Sequence, residues 1–361
     1  MSEKLCTLAT NDKVYFYDKS IVIFFEGQRK VLSTSSYNGG YHEDYVAVYN
    51  YDGKQGSGMP CEMLADTYDE HMRLISKRLA LDPEKVSGMS TAASMENAVV
   101  ETMSFKEITV TAIATAGIET NGGRVGDPAD YYRPIEKPDK YGTINIMLFF
   151  NCDMPAGTMA RALVTCTEAK TAAIQELLAG SNYSMGLATG SGTDQTIIVA
   201  NPESDLYFEG AGKHSKLGEL IGKTVMKAVK GSLNKQAGLN PKTQHNVFRR
   251  LKRFGITPSS LWDLYRKETG ADVKPVYLVA AEALAVEKNM LTITSLYIHL
   301  MDQLMWGLID EDEARDAGMV LLNHLAASYE VVAVEPESGD VDGMLTAWSK
   351  LFNLVAAKSL L

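Results

Sequence analysis

The hydrophobic and polar positions of this chain follow two periods, and the change from one to the other divides it. Over residues 1–60 short β-branched and aromatic runs alternate with turn residues, which predicts strands at 14–17, 21–25, 29–33 and 45–49. The polar turn from Ser33 to Gly40 ends in Asn38-Gly39-Gly40, a hairpin signal. Residues 61–80 carry three- and four-residue apolar spacings that predict a helix, stopped before Leu81 because the residue preceding a proline avoids the α region. The small residues of 86–95 read as a loop. Strands are predicted at 108–116 and 142–150, the second interrupted by Asn145, an amide that has to find partners inside an apolar run.

Residues 156–179 give the clearest helix. On a wheel centred on Leu163, the residues Met159, Cys166, Ile174, Leu177 and Leu178 share one face, and Lys170 falls among them. Such a lysine either snorkels its ammonium to the surface or is paired inside a cleft. Glu168 points the other way, beside Arg161 and Gln175. A second amphipathic helix starts near His214, which is placed on its apolar face as a capping or buried imidazole, or as a neutral base or metal ligand. After Leu233 the composition shifts. Residues 234–240 read as a polar linker, and helices are predicted at 241–254, 258–268, 274–289, 292–308, 311–328 and 341–358. The expected fold is a mixed α/β (α+β) sheet-and-helix catalytic domain, residues 1–233, with a C-terminal all-α helical domain, residues 241–361. In the helical half the methionines read as bundle core, and Arg249, Arg250, Lys252 and Arg253 as a solvated face.

Composition narrows the function by exclusion. A net charge of −10 over 361 residues argues against nucleic acid, whose partners carry a basic face. The four cysteines lack C-x-x-C spacing and the six histidines lack H-x-x-x-H or H-x-H spacing, so no metal site is expected. No secretory signal is evident and the longest apolar run is far too short for a bilayer, so a cytoplasmic protein with no membrane partner is expected.

The densest chemistry lies in Ala188-Thr189-Gly190-Ser191-Gly192-Thr193-Asp194, immediately before a β-branched run. Glycines let backbone N–H groups approach another molecule. The stretch is either a tight turn feeding a strand or a polar binding loop. It ends in no Gly-Lys-Ser/Thr and lacks a third spaced glycine, so it matches neither phosphate-loop nor dinucleotide fingerprints. A second Asn-Gly-Gly, residues 121–123, is followed by Arg124 and Asp127.

Taken in order, Ser35/Ser36 with Asn38-Gly39-Gly40, Gly88-Met89 with Thr91, and Thr115-Ala116-Gly117 with Asn121, Arg124, Gly126 and Asp127 resemble the adenosylcobinamide amidohydrolases of corrinoid salvage. Gly142-Thr143-Ile144-Asn145, Thr167-Glu168-Ala169-Lys170, the 188–194 loop, Gly210, His214, Leu217-Gly218 and Ile221-Gly222 continue the resemblance over about residues 30–232. Ser191 stands where the family usually has Thr, and keeps a hydroxyl. The resemblance implies hydrolysis of the amide joining aminopropanol to the corrin ring, with the corrinoid as substrate and no cofactor. Amide hydrolysis needs an attacking oxygen, an oxyanion site and a proton for the leaving amine. Asp194 or Glu168 is expected to activate water, and Lys170 or His214 to protonate the amine. Thr189, Gly190, Ser191, Gly192 and Thr193 would steady the oxyanion. A rival mechanism makes Ser36, Ser191 or Thr193 a covalent nucleophile, without a G-x-S-x-G elbow to support it. Asn38, Asn121, Arg124, Asp127, Thr143 and Asn145, with Ser36, Gly39 and Gly40, are expected to meet the carboxamides of the ring's rim. Tyr131, Tyr132 and Tyr141 are candidates to cover its face. The alternatives are a corrinoid carrier or sensor that binds without cleaving, and nucleotide phosphate binding at the glycine-rich loop. Homo-oligomerisation and partner docking through the helical half stay open.

Overall fold

The computed structural model describes residues 3–54, 61, 63–129, 132, 142–358 and 360. The chain separates into two compact units, residues 1–240 and 241–361.

The first unit begins with strands β1 (Glu3–Thr7), β2 (Lys13–Tyr17), β3 (Ser20–Phe24), β4 (Lys30–Ser33), β5 (Gly40–His42) and β6 (Ala47–Asp52). Helix α1 (Tyr68–Arg78) follows, then β7 (Val86–Thr91), β8 (Val99–Phe105), β9 (Ile108–Ala116), β10 (Gly122–Gly123) and β11 (Ile144–Phe150). Helix α2 (Ala156–Glu176), β12 (Gly190–Ser191), β13 (Gln195–Ala200) and helix α3 (Lys216–Ala237) complete it. These strands make a five-stranded sheet, β1-β2-β3-β6-β7, a six-stranded sheet, β5-β4-β13-β11-β9-β8, and a small ladder, β10-β12.

Strand alternation decides the layers, because successive side chains leave a strand on opposite faces. In β11, Ile144, Ile146, Leu148 and Phe150 pack with α2 and α3, while Met147 and Phe149 face the other way. That inner face meets Val14, Ile21, Ile23 and Val48 of the five-stranded sheet. The outer face of the five-stranded sheet, Val22, Ala47, Tyr49 and Tyr51, is covered by Met72 and Ile75 of α1. The order is helix, sheet, sheet, helices. Two polar ties cross the inner space. Asn145, without solvent exposure, donates to Asn50 Oδ1 at 2.8 Å and the Ser90 carbonyl at 3.0 Å, and Asn50 donates to Thr115 Oγ1 at 2.9 Å. Arg29, 2% exposed, pairs with the equally buried Asp12 at 2.8 Å.

Several expectations meet their physical limits here. The turn through Asn38-Gly39-Gly40 does close a hairpin, but its second strand is β5, with Ser33 opposite Gly40, and residues 47–52 join the other sheet. Residues 86–91, read as loop, form a strand parallel to β6. Its small residues are what the packing needs: a Cβ on Gly88 would run into the Tyr49 ring, and Ser87 Oγ donates to Ser33 Oγ at 2.9 Å. Helix α1 starts only at Tyr68, where Thr67 Oγ1 accepts from the Glu70 N–H. The strands β1 and β8 carry no strong alternation in sequence, and no local pattern predicts them. Residues 234–237, read as linker, are the last turn of α3, which stops at Gly238 in the left-handed region (φ 65°).

The second unit contains α4 (Val247–Leu251), α5 (Pro258–Thr269), α6 (Lys274–Ala285), α7 (Lys288–Met305), α8 (Glu311–Ser328) and α9 (Val341–Lys358). Its fold is all-α around Trp262, Tyr277, Tyr297, Trp348 and Phe352, with capping boxes at Thr257/Ser260 and Asp310/Glu313. The predicted helix 241–254 is shorter because Asn246 caps it, accepting from the Phe248 and Arg249 N–H groups. Two of the four basic residues read as solvated are internal ties. Arg253 pairs with Asp302 at 2.7 Å, and Arg250 Nε donates to the Gln244 carbonyl at 3.1 Å.

Removing one partner of a buried ion pair leaves the other charged and unsolvated. Arg29→Met is expected to destabilise the first unit by about 3–5 kcal/mol, read from its chemical-denaturation transition.

Candidate functional site

The site is built where β11 and β13 begin, on the side of the six-stranded sheet that faces α2. Parallel pairing sets Asn145 beside Gln195, so the residues just before the two strands, Thr143 and Asp194, stand together. Helix α2 places Lys170 over that margin. The ammonium is paired with Asp194 Oδ2, and both side chains are 12% exposed. The lysine on the apolar stripe is therefore of the paired kind.

Asp194 gathers four donors. Oδ1 accepts from the Ile144 N–H at 2.8 Å and from Ser191 Oγ at 2.7 Å. Oδ2 accepts from the Ser191 N–H at 3.0 Å and from Lys170. A carboxylate offers about four lone-pair positions, so the group is saturated. Gly190 makes the arrangement sterically feasible, since a Cβ there would lie 2.7 Å from Lys170 Nζ and against the Asp194 carboxylate.

The loop is held from below by its partner glycines. In the β10-β12 ladder Gly122 lies opposite Ser191 and Gly123 opposite Gly190, and the Thr189 N–H donates to the Gly123 carbonyl at 2.8 Å. Gly122 has no room for a side chain, and Gly123 could take one only if the Tyr183 ring gave way slightly. A Cβ on Gly122 would stand 2.7 Å from the Ile118 carbonyl, and one on Gly123 3.2 Å from the Tyr183 ring. Thr189 Oγ1 accepts from the Val125 N–H at 2.9 Å. Asp127 Oδ2 accepts from the Arg124 N–H at 2.7 Å and Ser181 Oγ at 2.6 Å. Burial works to raise the Asp127 pKa, but hydrogen bonds from Ser181, Ser184 and the Arg124 N–H outweigh it and hold the carboxyl below its usual range.

Together these pieces enclose a cavity of about 770 Å³, ordinary for a small-molecule site. Of the residues singled out from sequence, Lys170, Asn121, Arg124, Asp127, Thr189, Gly190, Ser191, Gly192 and Thr193 line it, and Asp194 lies immediately behind Lys170 and Ser191. Others are not brought there. Glu168 is exposed and paired with Lys213 at 3.3 Å and Arg161 at 3.6 Å. His214, expected on the apolar face of its helix, is exposed in the preceding turn, because Ser215 caps α3 by accepting from the Gly218 N–H. Asn38 donates to the Pro83 and Val86 carbonyls at 2.7 and 2.8 Å, a tie that fixes its own turn, while Ser36 is exposed and Gly39 and Gly40 belong to that turn. Thr143 and Asn145 are buried supports: Thr143 Oγ1 donates to the Thr193 carbonyl at 2.6 Å. Tyr131 and Tyr141 lie outside the described residues, and Tyr132 is 90% exposed.

The cavity also takes in Thr167, Thr171 and Tyr183. Thr171 carries a helical signal, standing four positions from Thr167 on one face of α2. Tyr183 sits in an irregular loop and had no periodic signal. Among the described residues, no group of three or more His, Cys, Asp and Glu side chains is placed to hold a metal ion, and no helix is long and apolar enough to cross a membrane.

A glycine loop bearing hydroxyls, with an ammonium and a carboxylate at its edge, offers groups that hydrolysis at a carbonyl can use. The sequence model of adenosylcobinamide amidohydrolase (CbiZ) matches residues 5–241, and the chain belongs to that family. The match covers the whole cavity. An uncharacterized protein of Methanocaldococcus jannaschii, MJ1613, is 35% identical over 231 residues, 60% of this chain and 87% of the relative. The crystal structure of the PH0078 protein from Pyrococcus horikoshii aligns with 70% of this chain and 89% of its own at 10% identity, with a TM-score of 0.30.

Alanine at position 190 forces Lys170 and Asp194 apart without touching the core. Gly190→Ala is expected to lower activity about 100-fold or more and to lower the melting temperature as the two nearly buried charges separate, checked by turnover and thermal melting side by side.

Proposed function

We propose that this chain hydrolyses the amide joining the aminopropanol arm to the corrin ring of adenosylcobinamide, releasing adenosylcobyric acid and aminopropanol. The observation that carries the reading is the Lys170–Asp194 pair with Ser191, set at a cavity of about 770 Å³ inside the segment that matches the family. The arm enters the cavity, and the ring rests on its rim, where Val125 is 82% exposed beside Arg124.

The residues divide the work as follows. Ser191 Oγ has a second acceptor in the Gly142 carbonyl at 3.3 Å, so it can turn from Asp194 Oδ1 and leave that oxygen to a water molecule. Asp194 takes the water's proton as its oxygen attacks the amide carbon. Backbone N–H groups of the loop other than that of Ser191, which stays on Asp194 Oδ2, receive the oxyanion, the Thr193 N–H among them once Ser191 Oγ has turned away. Lys170 gives its proton to the leaving nitrogen, and the C–N bond breaks. Glu168 and His214, outside the cavity, have no part in this scheme.

Ser191 as a covalent nucleophile is the second reading, favoured by its 2.7 Å hydrogen bond to Asp194. Ser191→Ala separates the two. Water attack predicts a loss under about tenfold, and an acyl-enzyme a loss as large as that of Asp194→Asn.

Release of aminopropanol from adenosylcobinamide tests the whole proposal. Lys170→Ala and Asp194→Asn are expected to lower kcat by about 10²–10⁴-fold, while Glu168→Gln and His214→Asn stay near wild type. Tight corrinoid binding with no amine released by wild type would favour a carrier or sensor instead.

A further inference from the structure

Among the described residues two cations line the cavity, Lys170 and Arg124, and only the first is neutralised. The Arg124 side chain makes no hydrogen bond or ion pair with any described residue, and its nitrogens stay open to solvent. Asp127, three residues on, is the near carboxylate. Its Oδ2 accepts from the Arg124 backbone N–H and from Ser181 Oγ, and no ion pair joins the two side chains.

The arginine is nevertheless held in place. Its stem lies along Gly186, where a Cβ would stand 2.6 Å from Arg124 Cδ. Gly123, the residue before it, lies opposite Gly190, and the N–H of Val125, the residue after it, donates to Thr189 Oγ1 at 2.9 Å. Gly190 is the position packed against Lys170 Nζ and the Asp194 carboxylate. The backbone of Arg124 is thus one residue along the ladder from the glycine that lies over the ion pair.

Hydrolysis changes the charge at this place. The water oxygen joins the amide carbon, the C–N bond breaks, and Lys170 protonates the nitrogen. Asp194 then returns to Lys170 the proton it took from water, which restores the pair. The new acid gives its own proton to the amine, so a neutral amide has become a carboxylate on the ring and an ammonium on the arm. Asp194 repels that carboxylate, and Lys170 is again held by Asp194. A guanidinium with unpaired donors meets a carboxylate through two parallel hydrogen bonds and opposite charge, which a neutral amide with one acceptor oxygen does not match.

We propose that the Arg124 guanidinium takes the carboxylate that cleavage leaves on the corrin ring, so that the site grips its product more tightly than a neutral amide and the product inhibits. This rests on the hydrolysis proposed above.

The test compares adenosylcobyric acid with its primary amide, in which an amino group replaces the carboxylate oxygen, by dissociation constants near neutral pH. Wild type is expected to bind the acid about 10–100-fold more tightly than the amide. Arg124→Gln is expected to weaken the acid about 10–100-fold and the amide by less than about threefold, and Arg124→Lys to keep part of the preference. An arginine that meets only a carboxamide of the rim would affect both ligands alike, and equal losses overturn the proposal. A preference for the acid that survives in Arg124→Gln overturns it too. So does a wild type that shows no preference, a result that needs no variant to fold. Should wild type release no aminopropanol, the hydrolysis reading fails by itself, and the same constants still decide whether Arg124 holds a carboxylate.

Discussion

The ion pair between Lys170 and Asp194 is the contact on which the site depends. It fastens the middle of α2 to the residue just before β13, and it does so through a position, Gly190, where no side chain can stand. Neither charge would be stable there alone, because each is only 12% exposed. Asp194 is steadied further by the Ile144 and Ser191 N–H groups, which come from two separate chain segments. The pair, the start of β11 and the glycine loop are consequently positioned by one carboxylate.

Behind the loop the support is polar. Thr143 holds the Thr193 carbonyl, and Asn145, two residues on, binds Asn50 and Ser90 across the gap between the sheets. Buried amides are costly unless satisfied, and here each finds a partner on the opposite sheet. The helix-sheet-sheet-helix stack so presents the cavity on a rigid margin, with the layers locked in register by Arg29 and Asp12 as well. The oxyanion role proposed for the loop asks for such backing, since a small displacement of donors is enough to lose their effect.

The helical unit has its own core and its own caps, and two of its arginines tie it internally. It lies outside the segment matched by the family, which ends at residue 241. The chemistry proposed for the first unit does not draw on it.

Much of the fold was legible in the sequence because burial imposes periods and runs. The strand-length apolar runs at 108–116 and 142–150 and the apolar stripe of α2 translate directly into buried strands and a helix packed by one face. Family likeness carried by ordered short motifs pointed to the amidohydrolases. Lys170 stood out because a cation on an apolar stripe needs a reason. What the sequence by itself could not decide was which of the polar turns serve the site. Asn38 and Asn121 open the same Asn-Gly-Gly pattern, yet one amide is spent on two backbone carbonyls of a distant turn and the other stands in the wall of the cavity, tied to the Gly142 carbonyl. Glu168 and Lys170 are two positions apart on one helix, and only the lysine faces the cavity. Strand β7, with too little apolar content to be recognised, exists because Tyr49 and Ser33 need small neighbours from another part of the chain. Local pattern determines which residues are buried. Which distant residue satisfies each buried polar group is decided by strand order and helix placement, and these arise only when the layers pack.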